Sequence, residues 1–249
     1  MVEGSICIAE DGVNSAGLQN KNEDPLLLCS ATETDQNPAG QGEIIARNEI
    51  YDPLEPLNRA FFEFNDRLYF WVLKPISRGY KWVVPEPLRK GVKNFFVNIL
   101  MPVRAVNCLL QGKPRRFGNE LARFFINSTA GVGGLGDPAG KALKFEIYEE
   151  DLGQTLGAYG AGPGFFINWP VLGPSSVRDT LGLVGDSFLN PLNYILDSTK
   201  YNLAARGVKT VNSTSFRIGE YEALKEAAFD PYVSLRNAYH QNRQYEIRK

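Results

Sequence analysis

Residues 51–76 read YDPLEPLNRAFFEFNDRLYFWVLKPI. Aromatic and aliphatic side chains crowd this stretch, charges interrupt it, and Pro56 and Pro75 bracket its helical centre. The charges prevent it from spanning a bilayer, yet it is too apolar for an ordinary surface helix. With Phe61 at zero on a helical wheel, Trp71, Phe64, Leu68, Val72, Tyr69, Phe62 and Leu73 fill an arc of roughly 200°. Asp66, Glu63 and Arg67 share the remaining face with Phe70. One neighbouring helix cannot cover so wide an arc. Three environments would: two layers of a globular core, a dimer interface, or the bilayer boundary, where Trp and Tyr rings are favoured. Asn65 falls inside the apolar arc, so its amide requires hydrogen-bond partners or a polar cavity beside it.

The chain has 249 residues, 43% of them apolar and 22% charged, which permits a buried core and excludes wholesale disorder. Its net charge of −1 conceals an asymmetry. Residues 1–46 carry eight acids against one base, Lys21, and the remainder carries 26 bases against 20 acids. A mildly basic body suits an anionic surface such as phospholipid headgroups, and an ordinary solvated surface explains it equally well. No basic block or basic-aromatic repeat points to nucleic acid. The three cysteines, 7, 29 and 108, have neither CxxC spacing nor a nearby histidine, and His240 is the only histidine. The usual zinc sites and most catalytic triads therefore fall away, and no metal or cofactor is implied.

Residues 1–48 are polar, acidic and aperiodic and read as a disordered tail; 49–249 read as one folded, mostly α domain. Within the tail, "DPLLLC" ends at Cys29, but Lys21, Glu23 and Asp24 interrupt the apolar core that a signal peptide needs. Pro87, Pro102, Pro114 and Pro231 each predict a helix start, Pro231 with Asp230 as its cap. Phe117, Leu121, Phe124 and Phe125 fall on one helical stripe. Many short helices predict an irregular assembly rather than a bundle of long rods. Glycine-rich runs follow at 131–136, "GVGGLG", and 157–164, "GAYGAGPG". Between them Lys144–Ile147 predicts an arm of a short hairpin, whereas "FFINWPVLGP" at 165–174 reads as an apolar loop.

Several blocks, taken in order, carry a resemblance. "DPLEPLNRAFFEFNDRLYFWVLKPI", "VPEPLRKGVKNFFVNILMPVRAVNCLLQGKP", "ELARFFINSTAGVGGLGDPA" and "LGQTLGAYGAGPGFFINWPVLGPSSVRDTLG" look like successive segments of the MlaA (VacJ) family, and "DPYVSLRNAYHQNR" is similar to its closing helix. The resemblance covers residues 51–243. It implies a lipoprotein of the Gram-negative outer membrane, a ring of short helices seated in the inner leaflet around a central amphipathic channel. Through that channel outer-leaflet phospholipid would reach a soluble periplasmic carrier of the MlaC type, and a trimeric porin would be a further partner. Phe61, Phe62, Phe64, Leu68, Tyr69 and Trp71 would then contact the membrane. Cys29 is the candidate lipid-anchor residue.

Small residues leave room for a passing acyl chain, so the glycine runs are the candidate channel wall: Gly131, Gly133, Gly134, Gly136, Asp137, Gly157, Tyr159, Gly160, Gly162 and Gly164. Asp137, Arg178 and Asp179 would meet zwitterionic headgroups, and 141–152 would form a lip. Against these stand plain roles, glycines as turns and Arg178 paired with an acid. Two other functions are weighed. One is a porin-associated scaffold with no channel of its own. The other is an esterase, because "GDSF" at 185–188 resembles a Gly-Asp-Ser nucleophile block. Such esterases need an aspartate three residues before the histidine, and here that position is Asn237.

Overall fold

The computed structural model describes residues 50–196 and 198–249. The acidic segment 1–48 and Cys29 lie outside the described residues. The fold is mostly α-helical with one small antiparallel hairpin. Helices α1 (Glu55–Leu68) and α2 (Lys74–Val83) run on from each other through a single π-helical turn, Tyr69–Leu73. The sequence places Pro75 as the end of the helix, and the structure corrects this. Proline lacks an N–H and its ring crowds the carbonyl four residues back. The wider π turn, in which Lys74 N donates to the Tyr69 carbonyl five residues back, absorbs that misfit and the helix continues.

Helices α3 (Glu86–Ile99), α4 (Met101–Leu110) and α5 (Pro114–Thr129) each begin with proline in the first two positions, as predicted. Side chains cap the next starts. Asp137 accepts from Gly140 N at α6 (Pro138–Leu143), Asp151 from Gln154 N at α7 (Leu152–Ala158), and Ser176 from Asp179 N at α8 (Val177–Ser187). The chain continues through α9 (Leu192–Ile195), α10 (Thr199–Phe216), α11 (Glu220–Ala227) and α12 (Pro231–Arg248), the last capped by Asp230. Helices α7 and α8 cross at two glycines. A Cβ on Gly182 would lie 2.3 Å from the Gly153 nitrogen, so neither position has room for a side chain.

The hairpin is not where the sequence puts it. Residues 144–150 have no regular structure, and the strands are β1 (Phe166–Trp169) and β2 (Gly173–Ser176), within the stretch read as a loop. Phe166 pairs with Ser176 and Trp169 with Gly173. Helix α1 supplies what the short strands lack. Asn58 Nδ2 donates to the Phe166 carbonyl at 3.0 Å, and Asn58 Oδ1 accepts from Asn168 N at 2.8 Å. Seven residues on, Asn65 does the same for the loop beyond. The outer edge of β1 is thus satisfied by asparagines two helical turns apart.

Burial is inverted relative to an ordinary soluble domain. Among the described residues seventeen buried positions are polar or charged and nine are apolar, while large apolar side chains crowd the exterior. The apolar core is small, with Phe62 and Phe166 each meeting the Tyr232 ring edge-on. On α5 the buried stripe is Glu120, Arg123 and Asn127, whereas Phe125 of the predicted apolar stripe is 61% exposed. The buried charges find partners of opposite sign or hydrogen-bond acceptors, while Gln154 Oε1 and Asn168 Oδ1 are buried without a partner. Arg104 binds Glu120 at 2.7 Å, and Arg123 binds Asp137 at 2.8 Å. No described helix is long and apolar enough to cross a membrane.

Candidate functional site

Two cavities adjoin inside the helical body. One, of about 350 Å³, lies between α3, α4, residues 149–151 and α10. The other, of about 640 Å³, lies between α4, α8, residues 190–193 and α10. They share Leu100, Val103 and Lys209, which stand at the boundary, or waist, between them. Apolar side chains make one wall: Phe96, Val97, Leu100 and Val103, continued by Leu183 and Val184. Arg206, Lys209, Asn212 and Ser213 of α10 and Asn190 and Asn193 make the other. An oily wall and a wet wall therefore face the same space. That is the requirement for holding an amphiphile, whose chains and head need different solvents.

Half of the charged side chains lining this space, Arg104, Glu150, Asp151 and Asp186, are already matched. Glu150 accepts from Lys113 at 3.0 Å, Arg116 at 2.6 Å and Gln111 at 2.8 Å. Burial alone would raise its pKa, but these donors outweigh it and hold the carboxyl below its ordinary value. Asp151 is gripped by both outer nitrogens of Arg243. Asp186 accepts from Asn107 Nδ2 at 2.8 Å and Leu152 N at 3.0 Å. Burial pushes its carboxyl up nonetheless, because those neutral donors do not offset the lost hydration. Lys209 differs. It is exposed to water, yet the protein packed around it strips part of its hydration, which lowers its pKa below the ordinary lysine value. Arg104 and Arg206 add to that lowering, and Glu149 opposes it. Its exposed surface keeps the ammonium partly hydrated.

None of the glycine-run candidates lines the two adjoining cavities. Gly131 and Gly136 close on each other through a 2.7 Å hydrogen bond and border a separate groove of about 580 Å³ with Leu88, Val92 and Leu135. Gly134 abuts the Asn98 side chain, Gly157 abuts Ile247, and Gly164 abuts Val177. Gly133 and Gly160 take positive φ, 67° and 89°, next to open space, and Gly162 also faces open space. The Tyr159 hydroxyl donates to the Leu110 carbonyl. Asp137 and Asp179 meet protein partners: Asp137 caps α6 and binds Arg123 and Asn127, while Asp179 binds Arg178 and Arg243 and accepts from Tyr239. Of the predicted lip, Glu149, Glu150 and Asp151 do line the first cavity.

Among the predicted membrane contacts, Phe64 and Trp71 are exposed, and Phe61, Leu68 and Tyr69 are half-buried. Phe62 requires correction. It is only 6% exposed, because Phe166 and Tyr232 cover it, so it is a core residue. Ser187 donates to the Val184 carbonyl of its own helix, and His240 lies against Gln244, so neither is arranged as nucleophile and base. Sequence reasoning missed the waist and the polar face of α10. One signal was available: Arg206, Lys209 and Ser213 recur at i, i+3 and i+7, a polar stripe at helical spacing.

The chain is similar to proteins of known kind over nearly all of this architecture. The family model described as MlaA lipoprotein matches residues 50–246. An intermembrane phospholipid transport system lipoprotein MlaA of Escherichia coli K12 is 32% identical over 226 residues, spanning 88% of this chain and 83% of the relative. Its counterpart in Haemophilus influenzae is 32% identical over 206 residues, spanning 80% of each. A chain solved in work on the "structural basis for maintenance of bacterial outer membrane lipid asymmetry" superposes with a TM-score of 0.67 at 33% identity, covering 79% of this chain and 98% of that one. With the blocks in order, the helices matched and the family model spanning the folded body, the chain belongs to the MlaA lipoprotein family.

Proposed function

We propose that this protein is the outer-membrane element of an intermembrane phospholipid transport system, and that the two adjoining cavities join to form its lipid passage. The observation that carries the reading is the pair of unlike walls meeting at Leu100, Val103 and Lys209 inside a body whose exterior is apolar. Described helices none of which is long and apolar enough to cross a bilayer, with Trp71 and Trp82 77% and 88% exposed, suit a seat in one leaflet. Acyl chains would follow the Phe96–Val97–Leu183–Val184 wall while the head stays on the α10 side. No bond is made or broken. The protein lowers the barrier by replacing headgroup hydration with Lys209, Asn212 and their neighbours.

On this reading the body sits in the inner leaflet of the outer membrane, a trimeric porin holds it laterally, and a soluble carrier of the MlaC type takes the lipid in the periplasm. The relatives' names, intermembrane phospholipid transport system lipoproteins, support the transport role. The test is to fill the waist. Val103→Trp should stop passage of a fluorescent phospholipid across vesicles bearing the full chain while its thermal unfolding stays cooperative. Full passage through a filled waist would overturn the reading.

A further inference from the structure

We propose that Lys209, flanked by Arg206, makes the waist a headgroup-charge filter that favours phospholipids with a net negative head over zwitterionic ones. The inference rests on the joined cavities being the lipid path. Both cavities share Lys209, so a lipid moving between them passes its ammonium. The surrounding charge is not balanced. Glu150, Asp151 and Arg104 are each taken up by ion pairs, with Lys113 and Arg116, with Arg243, and with Glu120. Asp186 is occupied by two neutral donors. Among the described residues Lys93, Arg206 and Lys209 make no ion pair, and the lining acids without one are Glu149 and Asp186. Three cations without an ion pair against two such acids leave the passage positive by one charge.

A partly hydrated cation without a counter-ion gains a charge partner when an anion arrives. A phosphodiester carrying an uncharged polyol brings one negative charge and nothing to offset it. A zwitterionic head brings the same phosphate with its own cation, which Arg206 and Lys93 repel. The depressed pKa of Lys209 fits an ammonium whose hydration is already partly stripped. A single added charge contact near water-filled protein changes binding by about fivefold.

The test uses the full chain in detergent and three probes: water-soluble short-chain phosphatidylglycerol, the matching phosphatidylcholine, and inorganic phosphate, each titrated by calorimetry. Phosphatidylglycerol should bind about fivefold tighter than phosphatidylcholine. Lys209→Gln should bring that ratio close to one, whereas Lys209→Arg and Lys90→Gln, a surface lysine on α3, should retain it. Arg206→Gln should lower the ratio, and it carries the test if Lys209→Gln does not fold. A native ratio near one, or a ratio unmoved by Lys209→Gln, overturns the filter. Phosphate binding as tightly as phosphatidylglycerol would make the waist a free-anion site and also overturn it. Binding of neither lipid would instead remove the passage itself.

Discussion

Asn65 and Trp169 are joined across 104 residues of sequence by a 2.9 Å hydrogen bond from the Asn65 amide to the Trp169 carbonyl. The same side chain accepts from Val171 N at 2.7 Å, so one amide fixes both sides of the hairpin loop. Val171 holds a φ of 68°, a costly value for a β-branched residue, and Asn65 helps to keep it there. Asn65→Ala should lower stability by about 1–3 kcal/mol, read as a fall in thermal midpoint. Asn65→Asp, which keeps the acceptor and loses the donor, should fall between. A midpoint unchanged in both variants would show that the loop holds itself.

How far the sequence reached can be judged from the same residues. Asn65 is visibly out of place on an apolar arc, but nothing local names a strand backbone as its partner. Strand β2 is Gly-Pro-Ser-Ser, which has neither the side chains nor the alternation of a strand; it exists because β1 and the α1 asparagines hold it. Helix starts were legible because proline and capping acids act within one turn. The stripe on α5 was legible too, but periodicity reports that two faces differ and not which solvent each meets. In this body Glu120, Arg123 and Asn127 face inward. Lys209 was missed for a related reason: a lysine on a polar stripe looks like solvated surface until the fold places it beside two cavities.

The Arg104–Glu120 pair tests the inverted interior. Glu120 is fully buried, and besides Arg104 it accepts from Tyr148 N at 3.0 Å. Glu120→Leu leaves the guanidinium buried and unmatched, and should cost about 3–5 kcal/mol. Adding Arg104→Met should recover most of that loss. Chemical denaturation of the two variants is the measurement, and a double variant no better than the single would rule out an uncompensated charge as the cause.

Acid should loosen the junction of α7, α8 and α12. Burial of Asp179 would raise its pKa, but hydrogen bonds from Arg243, Arg178 and Tyr239 outweigh that and lower it to about 2. A carboxyl whose folded pKa lies below its unfolded value stabilises fully above about pH 4, and that contribution, about 2 kcal/mol, disappears as pH falls toward 2. The thermal midpoint should therefore fall over that interval. In Arg243→Met the decline should begin at higher pH, since the strongest donor is gone. Identical acid profiles for the two proteins would refute the assignment.

The exterior aromatics separate membrane contact from folding. Trp71→Glu with Trp82→Glu should weaken flotation with liposomes severalfold and leave the unfolding midpoint within about 0.5 kcal/mol of native, because neither ring is covered. Phe62→Glu should do the reverse of a surface change and unfold the protein, since its ring packs between Phe166 and Tyr232. Flotation unaffected by the tryptophan pair would place the membrane face elsewhere.

The crossing of α7 and α8 leaves no slack. A Cβ on Gly182 would meet the Gly153 nitrogen at 2.3 Å and its Cα at 2.7 Å, and both obstacles are backbone, which cannot swing aside as a side-chain tip can. Gly185, three residues further along α8, would meet the flexible Leu152 Cδ2 at 2.2 Å. Helix propensity alone predicts a gain of about 1 kcal/mol from Gly→Ala at either site. Overpacking against rigid backbone opposes it with about 1–3 kcal/mol or more, so Gly182→Ala should be net destabilising. Gly185→Ala should cost clearly less, because Leu152 can change rotamer. The crossing also carries Asp179 and Arg243, whose atoms lie 2.5 Å and 2.8 Å from the Cβ position of Gly153. Forcing the helices apart should therefore shift the acid transition of Gly182→Ala upward along with its loss of stability. Comparing the two variants by thermal unfolding at neutral and acid pH separates a steric crossing from a propensity effect. Equal midpoints would show that the helices part without penalty.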